Sequence, residues 1–389
     1  ATATATRSKS FTFTHLLSTQ TSRSTKQVCD YVLEGTTLLY SHDNIRNLAH
    51  THNDLMNVWA MLWLDGQAGN IHNISFLTID ALKQYNNFDD KINQFYTTYR
   101  RLFQRILRGN DFPSDATLCL QRVLVQPLPA VGFVWHNWQK DLPCSFVGPS
   151  AMYQRWNLHV RSAYPNMLHV PPPPPPAQQQ QQQQQQSSSS PIGNAAAGSR
   201  TSTGTQIMII KVVVIVRTES KNDWGSYRSS RLIRNLPEIQ QALAELQKAP
   251  PIIGSKPVKF EVVYQNLALL SFEEQLQLIS ETSILIGMHG AGITHSQYMS
   301  VGTKAFPCCG VVEIFPRGEF FPVKGFANMI RKLGLSYARV DVSKADSQAS
   351  GAIVPVKELS QALQSMLTTI HKKPSCVLEN VVKNPYLLF

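Results

Sequence analysis

An apolar run, Ile284-Leu285-Ile286, breaks into a turn with three glycines and a histidine, Gly287-Met288-His289-Gly290-Ala291-Gly292, and continues as Ile293-Thr294-His295-Ser296. A strand, a tight loop and a helix start follow one another, a succession that belongs to α/β layouts. A helix beginning near Ala291 aims its unpaired N–H groups and the positive end of its dipole at the loop, an arrangement that binds phosphate. Gly287, Gly290 and Gly292 admit a ligand close to the backbone, although glycines also serve close packing of a strand on a helix. Their order, G-x-x-G-x-G, is not the G-x-G-x-x-G of dinucleotide-binding folds, and the turn lacks the lysine of a P-loop. NAD and ATP are thereby disfavoured. His289 and Thr294 stand beside the turn as candidate ligand contacts.

From residue 206 onward strand and helix patterns alternate: Met208 to Val216, Pro237 to Leu246, Val258 to Tyr264, Phe272 to Ile279, Ser283 to Gly287, and a further strand ending Val311 to Pro316. Such alternation builds a right-handed parallel unit whose ligands sit at the carboxyl ends of the strands. Arg217 closes the first of these strands, where a guanidinium needs an anionic partner, either a diphosphate or a local carboxylate. Arg231 and Asn235 open the next helix, to cap it or to orient the loop. Glu313 sits near the end of the later strand, just before Phe315-Pro316, and suits either a ligand's hydroxyls or a local ion pair. Residues 355 to 371 read as an amphipathic helix.

The N-terminal half has its own α/β pattern, with Asn73 to Ile79 and Arg122 to Val125 as the clearest strands. Around His50 a helical reading puts Leu48, Leu55, Trp59 and Leu62 on one face and His50, Asp54 and Asn57 on the other. His50 and Asp54 then share a polar surface, fit to take a proton from an attacking hydroxyl or simply to meet solvent. Pro171 to Pro176, Gln178 to Gln186 and Ser187 to Ser190 form a tract that cannot bury a core. The expected organisation is a disordered stem remnant at 1–24, an α/β domain at 25–169, a low-complexity linker at 170–205, a second α/β domain at 206–345, and a helix and tail at 346–389.

The chain of 389 residues carries a net charge of +11. Its basic residues form no run interleaved with aromatics, so a nucleic-acid partner is not expected, and an anionic small substrate explains the charge as well. No apolar run reaches membrane-spanning length, which leaves membrane association to an anchor ahead of Ala1. The six cysteines include no C-x-x-C pair or zinc spacing. Asp89-Asp90 is not D-x-D and reads as a solvated loop, so no metal site is expected. Cys308-Cys309 is a vicinal pair of the kind more often idle than catalytic. Asn73-Ile74-Ser75 is a glycosylation sequon.

The glycine turn resembles the signature of the family-61 glycosyltransferases. Val212 to Arg217 followed by Arg231-Leu-Ile-Arg-Asn235 is similar to the family's strand ending in arginine and its R-x-I-x-N helix start; Asn47 to Asp54 is similar to its N-x-x-H-x-x-x-D motif. Cys119 to Val125 and Gly132 to Trp135 fit in order, so the similarity runs from about Cys29 to about Val342. The inserts Thr218 to Ser230 and Gly302 to Gly310 are longer than usual for the family.

The resemblance implies two Rossmann-like halves facing across a cleft, the GT-B arrangement, and an inverting transfer of sugar from a UDP-sugar to a protein or glycan hydroxyl. The family's donors include GlcNAc, xylose and arabinose; the N-terminal motifs lie nearest the branch that puts GlcNAc on EGF domains. It implies donor contacts at Arg217, Arg231, Gly287, His289, Gly290, Ala291, Gly292, Thr294 and Glu313, a base at His50 or Asp54, and no cofactor or divalent metal. It also implies a Cys119–Cys144 disulfide and hence the lumen of the Golgi or endoplasmic reticulum. The long inserts keep a second reading open, a catalytically silent nucleotide-sugar-binding or scaffold protein.

Overall fold

The computed structural model describes residues 29–40, 48–66, 71, 73–78, 102–103, 105–108, 111–113, 115–125, 150–164, 208–217, 231–248, 258–299, 309–316, 324–343, 347–348 and 351–372. Outside them lie the 1–24 and 170–205 segments, Asn47, Asp89-Asp90, Gly132 to Trp135, Cys144, Cys308, Cys376 and the 218–230 insert. The side chain of His50 lies outside them too. The chain divides into two compact units, Ala1–Asn137 with Tyr386–Phe389, and Trp138–Pro385.

In the first unit, β1 (Tyr31–Tyr40), α1 (Leu48–Leu64), β2 (Ile74–Thr78), β3 (Arg105–Arg108) and β4 (Leu118–Val125) follow in order. The sheet runs β3-β2-β1-β4 with every pair parallel. Its core holds Tyr40 and Phe76 with ring centroids 5.8 Å apart, and Phe76 against Phe103 at 3.9 Å. Leu55, Trp59 and Leu62 of α1 are buried as their spacing predicts. Asp54 and Asn57 are buried as well, at 0% and 2% exposure, so for these two the solvated helix face is excluded. Apolar Met56, Val58 and Ala60 between them make the middle of α1 buried all round.

The disulfide differs from expectation: Cys119 pairs with Cys29, not Cys144, with Cα atoms 5.7 Å apart. β1 and β4 are parallel neighbours with Val32 opposite Cys119, which brings Cys29, just ahead of β1, alongside the start of β4. Two cysteines separated by 90 residues show no proximity until the strand order is known.

The second unit contains α2 (Ala151–Ser162), β5 (Met208–Ile215), α3 (Leu236–Lys248), β6 (Val258–Gln265), α4 (Phe272–Ser280), β7 (Ile284–Met288), a 3₁₀ helix (Ala291–Tyr298), β8 (Gly310–Pro316), α5 (Gly325–Lys332), β9 (Ser336–Val342), the short β10 (Ser347–Gln348) and β11 (Gly351–Ala352), and α6 (Val356–Lys372). β6-β5-β7-β8-β9 form one sheet, every pair parallel. Every residue of β7 and β8 is buried, which is why those strands, apart from Glu313, read as apolar runs rather than as alternating ones. Ser271 and Glu274 close a capping box at the start of α4.

Two boundaries shift. α2 was expected in the N-terminal domain ending at 169, yet its residues bond within the second unit: Gln154 Nε2 donates to the Leu333 carbonyl at 3.2 Å, and the Ser150 amide donates to the Lys332 carbonyl at 2.7 Å. α6 is no appended tail. Leu359, Leu363, Met366, Leu367 and Ile370 recur at helical spacing and enter the same core as Val312, Ile314 and Val340 of the sheet.

Candidate functional site

The order β6-β5-β7-β8-β9 reverses direction between β5 and β7, since the chain leaves β5 toward β6 and leaves β7 toward β8. The loops leaving those two strands therefore diverge and open a crevice at their carboxyl ends, where α/β sheets hold ligands. Arg217 lies just beyond β5 and His289 just beyond β7. Sequence spacing alone had no way to pair them.

Gly290 is the centre of this site. Its φ is +136°, a conformation side chains rarely adopt, and a Cβ there would overlap Arg231 Nη1 and lie 3.1 Å from Arg231 Cζ and 3.5 Å from Arg217 Nη2. Two guanidinium groups from separate segments thus converge on the backbone of the turn. Cations brought together at a helix start make an anion-binding field. The other two glycines serve packing: a Cβ on Gly287 would meet Ile293 Cδ1 at 3.1 Å, and one on Gly292 would meet Ile215 Cδ1 at 3.2 Å. For them close approach of strand and turn is the operative reason.

The helix after the turn is 3₁₀ along its whole length, opening with Ile293 N–H donated to the Gly290 carbonyl at 2.9 Å. Eight residues is long for this geometry, and burial on every side sustains it: Ile293, Thr294, His295, Ser296, Gln297 and Tyr298 are all buried. Thr294 Oγ1 finds no hydrogen-bond partner among the described residues. Trp156 Nε1 of α2 donates to Gln297 Oε1 at 3.0 Å, and Asn157 Nδ2 donates to the carbonyls of Gln297 and of Met299, the latter at 3.0 Å. α2 therefore braces the far end of the 3₁₀ helix that follows the glycine turn.

His289 is held on every side. Its amide donates to the Ile314 carbonyl at 2.8 Å, and its ring stands edge-on to Phe315 and Phe326 at 4.8 and 5.2 Å. Nδ1 lies 2.5 Å from Glu313 Oε1, and Tyr337 donates its hydroxyl to Glu313 Oε2 at 2.6 Å. A ring nitrogen facing a carboxylate carries the proton, which assigns His289 Nδ1–H. Burial, reinforced by the adjacent carboxylate, pushes the Tyr337 hydroxyl far above its ordinary value, so it stays a donor. Glu313 is 1% exposed with both oxygens engaged by protein groups. Of the two roles the sequence allowed it, the structure shows the local contact, because the register sets Glu313 opposite Gly287 and Arg339, two residues from His289 and Tyr337 on either side.

Sequence reasoning missed His295. Its Nδ1 donates to the Gly292 carbonyl 3.1 Å away, and its Nε2 lies 2.7 Å from the side-chain amide of Gln275, which ties α4 to the turn. Burial, partly opposed by that carbonyl, pulls the ring down from 6.5 to about 4, which leaves it neutral near pH 7. Its i+6 placement after His289 gave no signal. Asn235 was expected to cap α3 or orient the loop. Its side chain turns away from the helix: Nδ2 donates to the Val354 carbonyl and Oδ1 accepts from the Val354 amide, both at 2.9 Å. Cys309 is buried with its thiol pushed up to about 12 by burial, against the lowering effect of Arg161. That suits a protonated core thiol better than a nucleophile.

Residues 135–306 match the family model described as Glycosyltransferase 61. The chain carries a family-61 glycosyltransferase region. It takes in β5, Arg217, Arg231 and the whole glycine turn, and ends before β8 with Glu313. His50 and Asp54 belong to the first unit, ahead of the matched residues. There, α1 follows the carboxyl end of β1, and β2 and β4 flank β1 on opposite sides, which makes a second switch point. Asn73 is exposed immediately before β2. No curated protein matches the chain. Among the described residues no cluster of three His, Cys, Asp or Glu is placed to hold a metal, and no helix is long and apolar enough to cross a membrane.

Proposed function

We propose that this chain is an inverting glycosyltransferase that moves a sugar, GlcNAc ahead of xylose or arabinose, from a UDP-sugar to a protein or glycan hydroxyl. The observation that carries the reading is the convergence of Arg217 and Arg231 on Gly290 at the β5/β7 switch point. A diphosphate seated there meets two bidentate cations and the positive end of the 3₁₀ helix. In the transfer, the acceptor oxygen bonds to the anomeric carbon while the bond from that carbon to phosphate breaks and its electron pair leaves on UDP. The guanidinium groups and the positive end of the 3₁₀ helix offset that charge without a divalent ion in this reading, with His289 beside them. The acceptor's proton passes to His50 or Asp54 in this reading. The Cys29–Cys119 disulfide supports an oxidising lumen, that of the Golgi or endoplasmic reticulum, as the place of work. Exposure of Asn73 is compatible with its glycosylation there.

The test is thermal-shift titration with UDP followed by UDP-release assays across UDP-GlcNAc, UDP-xylose and UDP-arabinose. Stabilisation by UDP together with release from one donor is the expected result. Binding without turnover on any donor, hydrolysis included, would instead favour the silent nucleotide-sugar-binding protein. Absence of any UDP stabilisation would remove the donor site itself.

A further inference from the structure

Arg231 enters the site from a segment that the sheet does not hold. Arg217 is carried directly by β5, but residues 218–230 separate it from Arg231, and the segment 231–235 belongs to no strand of the five-stranded sheet. What fixes this segment is a set of bonds to 351–354. Ile233 forms a parallel bridge with Ala352; the Ala352 amide donates to the Leu232 carbonyl at 2.7 Å, and the Arg234 amide donates to the Ala352 carbonyl at 2.9 Å. The side chain of Asn235 completes the set by engaging both the amide and the carbonyl of Val354, each at 2.9 Å. Val354 and Ala352 are 1% and 0% exposed and sit in the core with α6, so the receiving strand is rigidly seated. Gly351 makes the approach possible: its φ is +124°, and a Cβ there would lie 2.8 Å from the Leu232 carbonyl oxygen.

We infer that Asn235, clasped to Val354, is a positioning residue that sets Arg231 over Gly290. The clasp makes residues 351–354, which lie beyond the family-61 match, part of the anion site. Asparagine suits the task because its amide offers one donor and one acceptor in a plane, matching the N–H and C=O of one extended residue. Aspartate would lose the donor. The functional half of this inference rests on the UDP reading given above; the structural half does not.

The experiment therefore has two arms on the full chain, using Asn235→Ala, Asn235→Asp and Gly351→Ala. Without ligand, hydrogen exchange is followed by mass spectrometry over 231–235, 351–354 and the glycine turn. If Asn235 sets Arg231 on Gly290, exchange accelerates in the turn as well as in the two clasped segments; acceleration confined to the clasped segments would overturn the inference. With UDP, Asn235→Ala is expected to weaken binding about 10-fold in the wild-type and Arg217→Ala backgrounds but less than about 2-fold in the Arg231→Ala background. Equal losses in all three backgrounds would mark Asn235 as merely structural. If wild type itself ignores UDP, the UDP reading fails while the exchange arm still decides the positioning.

Discussion

His289 Nδ1 and Glu313 Oε1 are 2.5 Å apart, and the pair joins the turn after β7 to the interior of β8. A carboxylate at 1% exposure is tolerated because the imidazole N–H and the Tyr337 hydroxyl occupy its two oxygens. Removing the carboxylate takes the acceptor from the buried His289 Nδ1–H and from the half-buried Tyr337 hydroxyl. Glu313→Ala should therefore cost about 3 to 5 kcal/mol in denaturant unfolding, whereas Tyr337→Phe, which deletes one of the two donors to the carboxylate, should cost about 1.5 to 3 kcal/mol. Equal stability of Glu313→Ala and wild type would mean that the pair does not hold the turn. Glu313→Gln keeps an acceptor for Nδ1–H and should fall between them.

The Cys29–Cys119 bond ties the residue ahead of β1 to β4 across the first sheet. Its loss should cost about 2 to 5 kcal/mol in material made under oxidising conditions. Cys29→Ser, Cys119→Ser and the double variant should be equally destabilised, because each removes the same single constraint. Peptide mapping without reduction should recover the 29–119 link. A 119–144 peptide in its place would contradict the strand-edge pairing.

The second sheet was legible in the sequence wherever burial was total. β7 is a continuous apolar run, β8 is apolar apart from the buried Glu313, and β5, exposed at Ile209, is apolar apart from Lys211; their limits are marked by Gly290, Pro316 and Arg217, which are special backbone, a missing donor and charge respectively. The helices Leu236–Lys248 and Val356–Lys372 declared themselves by spacing. Hidden were the relations between distant segments. Nothing in Cys29 announces that β4 lies beside β1, and nothing in Glu313 shows which strand brings it a histidine. The amphipathic α2 fits either unit until Trp156 and Asn157 are seen to bond around Gln297. Likewise, a helix was expected from near Ala291, and Ala291–Tyr298, in which only Ala291 and Gln297 are strong helix formers, winds as 3₁₀.

His295 provides a pH signature. Its folded value of about 4 lies below the ordinary 6.5, so between those values the unfolded chain binds more protons and stability rises with pH. Stability attributable to this ring is complete above about 6.5 and is lost progressively as pH falls toward about 4. Lowering pH from 7 to 5 should cost about 2 kcal/mol through this group. Subtracting the unfolding curve of His295→Gln from that of wild type at each pH isolates the contribution from the carboxylates. A difference that is flat over this window would show that His295 is not held neutral.

Arg217 and Arg231 should govern donor affinity more than folding. Each charge-assisted contact to a phosphate is worth about 1.5 to 3 kcal/mol, so either alanine substitution should weaken UDP binding about 10- to 150-fold with little change in melting temperature. Gly290→Ala should weaken it too, since a Cβ would overlap Arg231 Nη1 and the backbone would be strained at φ +136°. Calorimetric titration of the three variants with UDP gives the answer. Unchanged affinity in both arginine variants would place the diphosphate elsewhere.

Asp54 and His50 separate by kinetics what burial leaves joined. Asp54 is 0% exposed, in the buried middle of a helix that follows an inner strand of the first sheet, and a carboxylate in that setting either holds α1 in place or waits for a proton. A base acts only as the acceptor oxygen attacks, so its loss lowers kcat and leaves the binding of UDP alone unaltered. Asp54→Asn preserves shape and removes the proton-accepting charge; if Asp54 is the base, kcat should drop about 100- to 10,000-fold at constant UDP affinity. His50→Gln is the matched variant for the other candidate, and the larger kcat loss identifies the base. A structural Asp54 would show the opposite split, with a lower melting temperature and kcat retained in the fraction that folds. Should neither variant lose kcat, the proton leaves by another group and the first unit's part in the chemistry must be reassigned.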